Sequence, residues 1–203
     1  MCTYNVGFNV KITKLVKFLQ KEPADIICIH EIAYWQVNQL TNCLKKSKWS
    51  YCGRSPECRS IVLSIFPLEE VCRGYLGGST HVTRNQFVTV RVQGFYLTSL
   101  HLAAKNEATR LRQLRNVRVK LSEKGVWNQG RMHIFAGDFN SLTKEDKSQE
   151  AWDKVAEDRE LSNQNNFAKL EEPKFDVTAF MAQENFTDCW AKVGRRDEMT
   201  TCQ

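Results

Sequence analysis

The stretch Met132-His-Ile-Phe-Ala-Gly-Asp-Phe-Asn-Ser141 decides the fold of this chain. It runs from apolar residues into Gly137 and then sets Asp138 and Asn140 two positions apart. A short apolar run that a glycine closes predicts a strand buried on both faces. Alternation past the end of that strand would place Asp138 and Asn140 on one side, pointing out of the sheet edge. The same residue types also build Asx turns, so the stretch alone leaves a catalytic pair and a plain turn as alternatives.

Polar residues suited to phosphate chemistry follow three other predicted strands, at Asn5, Glu31 and His101. Each of them singly has a plain structural explanation: a turn cap, a favourable charge beside a helix dipole, or a hydrogen-bonded edge histidine. A carboxylate can orient a nucleophile, and a carboxamide or imidazole can donate to a developing oxyanion. The occurrence of all three with Asp138 and Asn140, in this order, favours a single phosphate-binding site.

Hydrophobic periodicity predicts strands alternating with helices at first and then a β-rich middle, which is typical of an α/β domain. The predicted strands cover residues 2–6, 25–29, 49–52, 60–65, 68–72, 85–92, 95–100 and 132–136, and the predicted helices include 32–46, 105–124 and 145–161. Residues 74–79 are predicted to form a loop because they are rich in glycine. No internal repeat or linker interrupts the pattern, so we expect a single domain over residues 1–203.

The composition bounds the class of protein. With 203 residues, 42% of them hydrophobic and 26% charged, the chain is typical of a globular protein rather than a disordered one. It contains no apolar run of about 18 residues, so we expect no membrane span. It begins without a secretory signal pattern, and its eight cysteines form no C-x-x-C pair, which favours reduced thiols and an intracellular, nuclear or cytoplasmic location. No feature of the sequence specifies an oligomeric state.

The formal net charge of +6 and the pI near 8.9 conceal an asymmetry. The basic excess lies in residues 1–143, whereas residues 144–203 are net acidic. A basic surface attracts polyanions, and nucleic acid is therefore the expected partner. The predicted helix 105–124 carries most of its lysines and arginines away from its apolar stripe. This arrangement is typical of a solvated outer face, and a polyanion track is the alternative.

Four segments together resemble a known superfamily. They are Tyr4-Asn-Val6, Ala24-Asp-Ile-Ile-Cys-Ile-His-Glu31, Leu97-Thr-Ser-Leu-His-Leu102 and Ile134-Phe-Ala-Gly-Asp-Phe-Asn140. Their order and spacing resemble the successive motifs of the endonuclease/exonuclease/phosphatase superfamily, which has the deoxyribonuclease I-like fold. A His-Leu after a hairpin, followed by an arginine-bearing helix, looks most like the branch of tyrosyl-DNA phosphodiesterase 2 and sphingomyelinase-like enzymes. The resemblance covers nearly the whole chain and implies an α/β fold in which helices flank a two-sheet β-sandwich.

The resemblance also implies an activity, that of a metal-dependent phosphodiesterase or nuclease acting on nucleic acid or a nucleic-acid adduct. Glu31 would be a direct Mg²⁺ ligand with Asn5 beside the same ion, Mn²⁺ being the alternative metal. Asp138 would orient or deprotonate the attacking water. Asn140 would donate to a phosphoryl oxygen, and His101 would donate to the phosphate and stabilise its charge.

Departures from the family pattern set limits on these expectations. His30 stands where the family usually has a glutamine, and Ile65 stands where it has an arginine. Arg84, just before the hairpin, can bind a substrate phosphate through two N–H groups. The family's last strands and their Ser-Asp-His motif are missing, and His133 lies at the wrong end of its strand to substitute for that histidine.

The missing motif changes the expected activity of the chain. We expect a C-terminally incomplete fold and weak or absent turnover in this 203-residue form, because catalytic groups that act together are far from additive. Two alternatives stay open, since a fold does not fix a substrate. One is a catalytically dead nucleic-acid-binding module that keeps the basic surface, and the other is a phosphoesterase for a lipid or inositol headgroup.

Overall fold

The computed structural model describes residues 1–7, 9–45, 47–52, 60–77, 86–104, 106–127, 130–141, 148–154, 157 and 174–189. The chain divides into two compact units. One comprises Met1–Ala104 with Arg112–Asn140, and the other comprises Lys105–Leu111 with Ser141–Gln203. The expectation of one domain over the whole chain stays a prediction.

The described elements alternate in the predicted manner. The strands are β1 Cys2–Asn5, β2 Ile26–His30, β3 Ser50–Cys52, β4 Ser60–Ser64, β5 Glu69–Tyr75, β6 Gln86–Val92, β7 Phe95–His101 and β8 His133–Asp138. The helices are α1 Ile12–Lys21, α2 Tyr34–Leu44, α3 Glu107–Glu123 and α4 Asp176–Gln183. Residues 149–154 and 157 are also helical, and residue 148 is not. The other residues of the predicted helix 145–161 lie outside the described residues.

The eight described strands form two mixed sheets of four, with the orders β1-β2-β4-β3 and β5-β6-β7-β8. Within each sheet one pair is parallel, β1 with β2 and β7 with β8, and the remaining pairs are antiparallel. This arrangement confirms the predicted fold class of a two-sheet α/β sandwich with flanking helices. Each parallel pair places two strand carboxyl ends side by side, which is what later assembles the site.

The core between the sheets is apolar. Ile26, Cys28 and Val62 of the first sheet pack with Val88 and Leu97 of the second. Alternation along each strand explains the packing, because successive side chains point to opposite faces of a sheet. Each fully buried aliphatic side chain contributes about 2 kcal/mol to folding by leaving water.

The outer face of the first sheet is covered by α1 and α2. Leu15 and Leu19 of α1 and Leu40 of α2 pack with Ile27 and Ile29 of β2. The leucines of α1 recur four residues apart and so share one helical face. Both faces of β2 are thus covered, and all five of its residues are buried.

Helix α3 lies against the end of β5. The Gln113 side chain donates to the carbonyl oxygen of Gly77 over 2.9 Å, and that of Asn116 donates to the carbonyl oxygen of Leu76 over 3.1 Å. Leu114 and Val117 are fully buried, whereas Arg112, Arg115 and Arg118 on the other faces of α3 are exposed. These contacts hold the helix that follows β7 close to the second sheet.

Two expectations about the strands were wrong. Gly74 and Tyr75 continue β5 instead of forming a loop, since they pair with Phe87 and Gln86 of β6. Pairing with an adjacent strand here outweighs the low strand propensity of glycine. The second wrong expectation was that the strand before Asp138 is buried on both faces. Strand β8 is instead mostly half-buried, and only its Ala136 is buried, because β8 stands at the end of the described strand order.

In the second unit, Glu107 is a buried carboxylate with several partners. It pairs with Arg110 over 2.7 Å and accepts hydrogen bonds from the Ser141 hydroxyl and from the backbone N–H of Val177. A buried charge requires such a set of donors.

Among the described residues, no helix is both long and apolar enough to cross a membrane.

Candidate functional site

The carboxyl ends of both parallel strand pairs carry the polar residues predicted from the sequence. In the first sheet Asn5 ends β1 beside His30 of β2, and Glu31 follows His30 directly. In the second sheet His101 ends β7 beside Asp138, which ends β8. Because parallel strands finish at the same sheet edge, each pair delivers two polar groups to one place.

The two edges meet. The Asn5 Nδ2 atom lies 3.5 Å from Asp138 Oδ2, and His101 Nε2 lies 3.7 Å from Glu31 Oε1 and 3.8 Å from Asp138 Oδ2. The side chains of His101, Glu31 and Asp138 are 20%, 26% and 34% exposed, so a ligand can reach them. Distances of 3.7 and 3.8 Å exceed a hydrogen bond, and the imidazole N–H is therefore committed to neither carboxylate.

Asn140 joins this group through a turn. Its backbone N–H donates to Asp138 Oδ1 over 2.8 Å, and its side-chain amide donates to the carbonyl oxygen of Leu102 over 2.8 Å. Its φ of +48° shows that strand alternation has already ended, so the expectation that alternation aligns Asp138 with Asn140 was wrong. The two alternatives for this stretch therefore coincide, because Asp138 and Asn140 form an Asx turn and also lie together as a polar pair. The second hydrogen of the amide stays able to donate to a ligand.

Backbone conformation at the site is unusual at two further positions, Glu31 and Gly137. Glu31 adopts φ +59°, a left-handed conformation that costs an ordinary residue about 1–2 kcal/mol. Gly137 has φ +138°, and a Cβ there would stand 1.9 Å from the Leu100 carbonyl oxygen and 2.9 Å from His30 Nε2. Only glycine fits where β8 passes so close to β7. Strained positions of this kind concentrate at functional sites.

His30 is the residue of this neighbourhood for which sequence reasoning assigned no role. It lies 1% exposed between the sheets, with its ring edge-on to His101 at 6.2 Å between centroids. The pKa of His30 is lowered to about 4, chiefly by burial and also by the neighbouring His101, while Asp138 opposes the shift. The sequence signal was its place immediately before Glu31, which marked only a departure from the family pattern.

Two further residues of the sequence analysis fall elsewhere. Arg84, the predicted phosphate ligand, lies outside the described residues. His133 begins β8 opposite Tyr96 of β7, at the other end of the strand from Asp138. This placement agrees with the expectation that it cannot replace the family's C-terminal histidine.

The chemistry of the donor set fits Mg²⁺. Two carboxylates and an amide oxygen, from Glu31, Asp138 and Asn5, are hard oxygen ligands, and Mg²⁺ keeps several waters and needs few protein groups. Among the described residues no three His, Cys, Asp or Glu side chains are grouped tightly enough to form a metal cage.

Comparison with known proteins rests on structure. No family model and no curated protein matches the chain. The fold is similar to an endonuclease/exonuclease/phosphatase family protein from Bacteroides thetaiotaomicron (16% identity, TM-score 0.53, 76% of this chain and 67% of that one). It is also similar to the mannosyl-6-phosphatase of Bacteroides thetaiotaomicron VPI-5482 (16% identity, TM-score 0.53, 76% of this chain and 69% of that one). A third similar structure is TDP2 from C. elegans (18% identity, TM-score 0.53, 72% of this chain and 49% of that one).

These similarities define the fold of the chain. The chain has the fold that these solved structures share, which is the deoxyribonuclease I-like fold class that the sequence motifs predicted. The chain spans between 49% and 69% of the lengths of these three solved chains, and 61% of the length of a humanized D. rerio TDP2 chain.

Proposed function

We propose that the candidate site belongs to a Mg²⁺-dependent phosphoric ester hydrolase that acts on phosphodiesters of nucleic acid or a nucleic-acid adduct. The observation that carries the proposal is the convergence of four strand ends from two sheets. In it, Asn5 Nδ2 lies 3.5 Å from Asp138 Oδ2, and His101 Nε2 lies 3.7 Å from Glu31 Oε1 and 3.8 Å from Asp138 Oδ2. Structural packing alone gives no reason to gather two carboxylates, an imidazole and an amide at one partly exposed edge.

Each residue has a distinct part in this proposal. The carboxylate of Glu31 and the side-chain amide oxygen of Asn5 would hold the ion. When bound, the ion would supply Lewis-acid stabilisation of the charge on the phosphate and the leaving oxygen. Asp138 has one oxygen fixed by the turn and turns the other towards Asn5 and His101, so it is placed to orient or deprotonate a water. His101 and Asn140 would donate to phosphoryl oxygens.

Charge favours nucleic acid as the substrate class. The first 143 residues carry the basic excess, and Arg112, Arg115 and Arg118 of α3 are exposed. Such a surface attracts a polyanion at a distance, and its affinity falls steeply with salt. The similarity to a mannosyl-6-phosphatase keeps a phosphate monoester as the second candidate, because that neighbour shares the fold at the same TM-score as the C. elegans TDP2.

The test is turnover by the purified chain of bis(p-nitrophenyl) phosphate and of single-stranded DNA, each with Mg²⁺ and with excess chelator. We expect slow turnover that chelation abolishes and that Asp138→Asn lowers about 10³-fold, as removal of a general base does. Asp25→Asn is the matched control, because this exposed aspartate lies just before β2, at the end of the strand remote from Glu31. It should retain the wild-type rate.

The alternatives predict different results. A binding module would retain single-stranded DNA in a salt-dependent manner and give no turnover with either ester. Release of phosphate from monoesters alone, mannose 6-phosphate included, would move the assignment to a phosphatase. Turnover that survives chelation or Asp138→Asn would contradict the proposed mechanism.

A further inference from the structure

His30 joins the two sheets immediately beneath the candidate site. Its Nδ1 atom lies 3.1 Å from the hydroxyl of Ser60, its pairing partner on β4 in the first sheet. Its Nε2 atom lies 3.4 Å from the hydroxyl of Ser99 on β7 in the second sheet. The imidazole is thus a polar bridge across a space that is otherwise filled by aliphatic side chains.

The bridge is adjacent to both halves of the site. His30 precedes Glu31 in the chain and pairs with Asn5, and Ser99 lies two residues before His101 on the same strand face. The His30 ring also contacts the edge of the His101 ring and fills the space that a side chain at position 137 would need. Any change in the separation of the sheets at His30 therefore moves Glu31 relative to His101.

We propose that His30 is a positioning residue that holds the first-sheet half of the site, Asn5 and Glu31, in register with the second-sheet half, His101 and Asp138. This inference rests on the proposed function and deepens it. An aliphatic residue would fill the same volume, but it would leave two buried hydroxyls without this partner and would let the sheets slide. A neutral imidazole satisfies one hydroxyl on each sheet with a single rigid ring.

His133 provides a matched control within the same sandwich. It is a half-buried histidine that also bonds to a β7 hydroxyl, since its Nε2 atom lies 2.8 Å from Thr98 Oγ1. It stands at the opposite end of β8 from Asp138. Substitution of His133 therefore perturbs the sandwich without reaching the site.

The experiment compares His30→Leu, His30→Gln and His133→Leu by the ring ¹H–¹³C NMR signals of His101, the Kd for Mg²⁺ by calorimetry, and the kcat and KM for bis(p-nitrophenyl) phosphate. We expect His30→Leu to shift the His101 signals and to weaken Mg²⁺ binding and kcat about 10–100-fold, with little change in KM. His30→Gln, which keeps a donor and an acceptor, should recover most of the loss. His133→Leu should leave all of these readouts at wild-type values.

Each remaining outcome has a defined meaning. Should His30→Leu fail to fold, Ser99→Ala removes only the second-sheet hydroxyl and should shift the same signals to a smaller extent. Unchanged His101 signals in both of these variants, or equal changes in His133→Leu, would overturn the inference. Wild-type protein with neither Mg²⁺ binding nor turnover would refute the proposed function, while the His101 signals would still test the positioning role.

Discussion

At its carboxyl end β8 presents Asp138 to Asn5 and His101 at two other strand ends. At its amino end His133 stacks on Phe135 with 4.5 Å between ring centroids. The edge of Trp127 closes the amino end, and Thr98 satisfies the imidazole there. One strand of six residues thus has an open polar end and a closed aromatic end. The contrast separates groups arranged for chemistry from groups arranged for packing, and it can be tested end by end.

The largest effect is expected where the backbone is most crowded. Gly137→Ala would press a methyl group into the Leu100 carbonyl and the His30 ring at φ +138°, so we expect a loss of about 3 kcal/mol or more in the free energy of unfolding. Gly130→Ala, before the amino end of β8, has φ +68° and no atom within 4 Å of the new Cβ. It should cost only about 1 kcal/mol. Urea denaturation measures both, and equal losses would contradict the crowding described at Gly137.

The next effect tests the closed end. His133→Leu should lower the free energy of unfolding by about 2 kcal/mol, because the Thr98 hydroxyl loses a buried partner and the stacking on Phe135 is removed. Thermal and urea unfolding give the value. A loss of Mg²⁺ affinity in the same variant would show that the two ends are not independent.

A smaller effect of opposite sign is expected at the open end. Glu31→Gly relieves the left-handed conformation at φ +59° and should raise the free energy of unfolding by about 1 kcal/mol, while it removes the proposed metal ligand. Gln93→Gly is the matched control in the β6–β7 turn, where φ is +48°. It should stabilise the chain similarly and leave Mg²⁺ binding unaltered. Destabilisation by Glu31→Gly would argue that Glu31 has a packing role.

The smallest effect concerns pH. Burial lowers the pKa of His133 to about 4, below its unfolded value near 6.5. The unfolded chain therefore binds the proton first, and stability that is present above pH 6.5 is lost as the pH falls towards 4. Between pH 7 and 6 the loss is below about 1 kcal/mol. His133→Gln should reduce the dependence of the free energy of unfolding on pH in this range, as measured by chemical denaturation. The dependence that remains is expected from His30, whose pKa is also lowered to about 4.

Much of the sandwich was predictable because its signals are local. The strand over 85–92 and the helices over 32–46 and 105–124 were predicted from patterns among neighbouring residues, and the structure has β6, α2 and α3 at those positions. The continuation of β5 through Gly74 was missed, since it depends on a partner strand about a dozen residues further along. Local propensity contains no information about that partner.

The residues of the candidate site were predictable from the sequence, but the contacts that hold them in place were not. Asn5, Glu31, His101 and Asp138 each follow an apolar run, and strand ends are where such residues can meet. The contacts of His30 with Ser60 and Ser99 reach across 30 and 69 residues, and neither serine stands out in the sequence. The turn conformation of Asn140 likewise depends on the carbonyl oxygen of Leu102, the residue that follows β7.

The separation of Asn5 and Asp138 by 133 residues along the chain has a consequence for how the protein forms. Contacts between such distant positions close very long loops, so they arise late in folding and slow it. During synthesis the first sheet can complete its pairings long before β8 leaves the ribosome. The protein therefore acquires its architecture in stages, and the candidate site is assembled only when β8 joins the sheet.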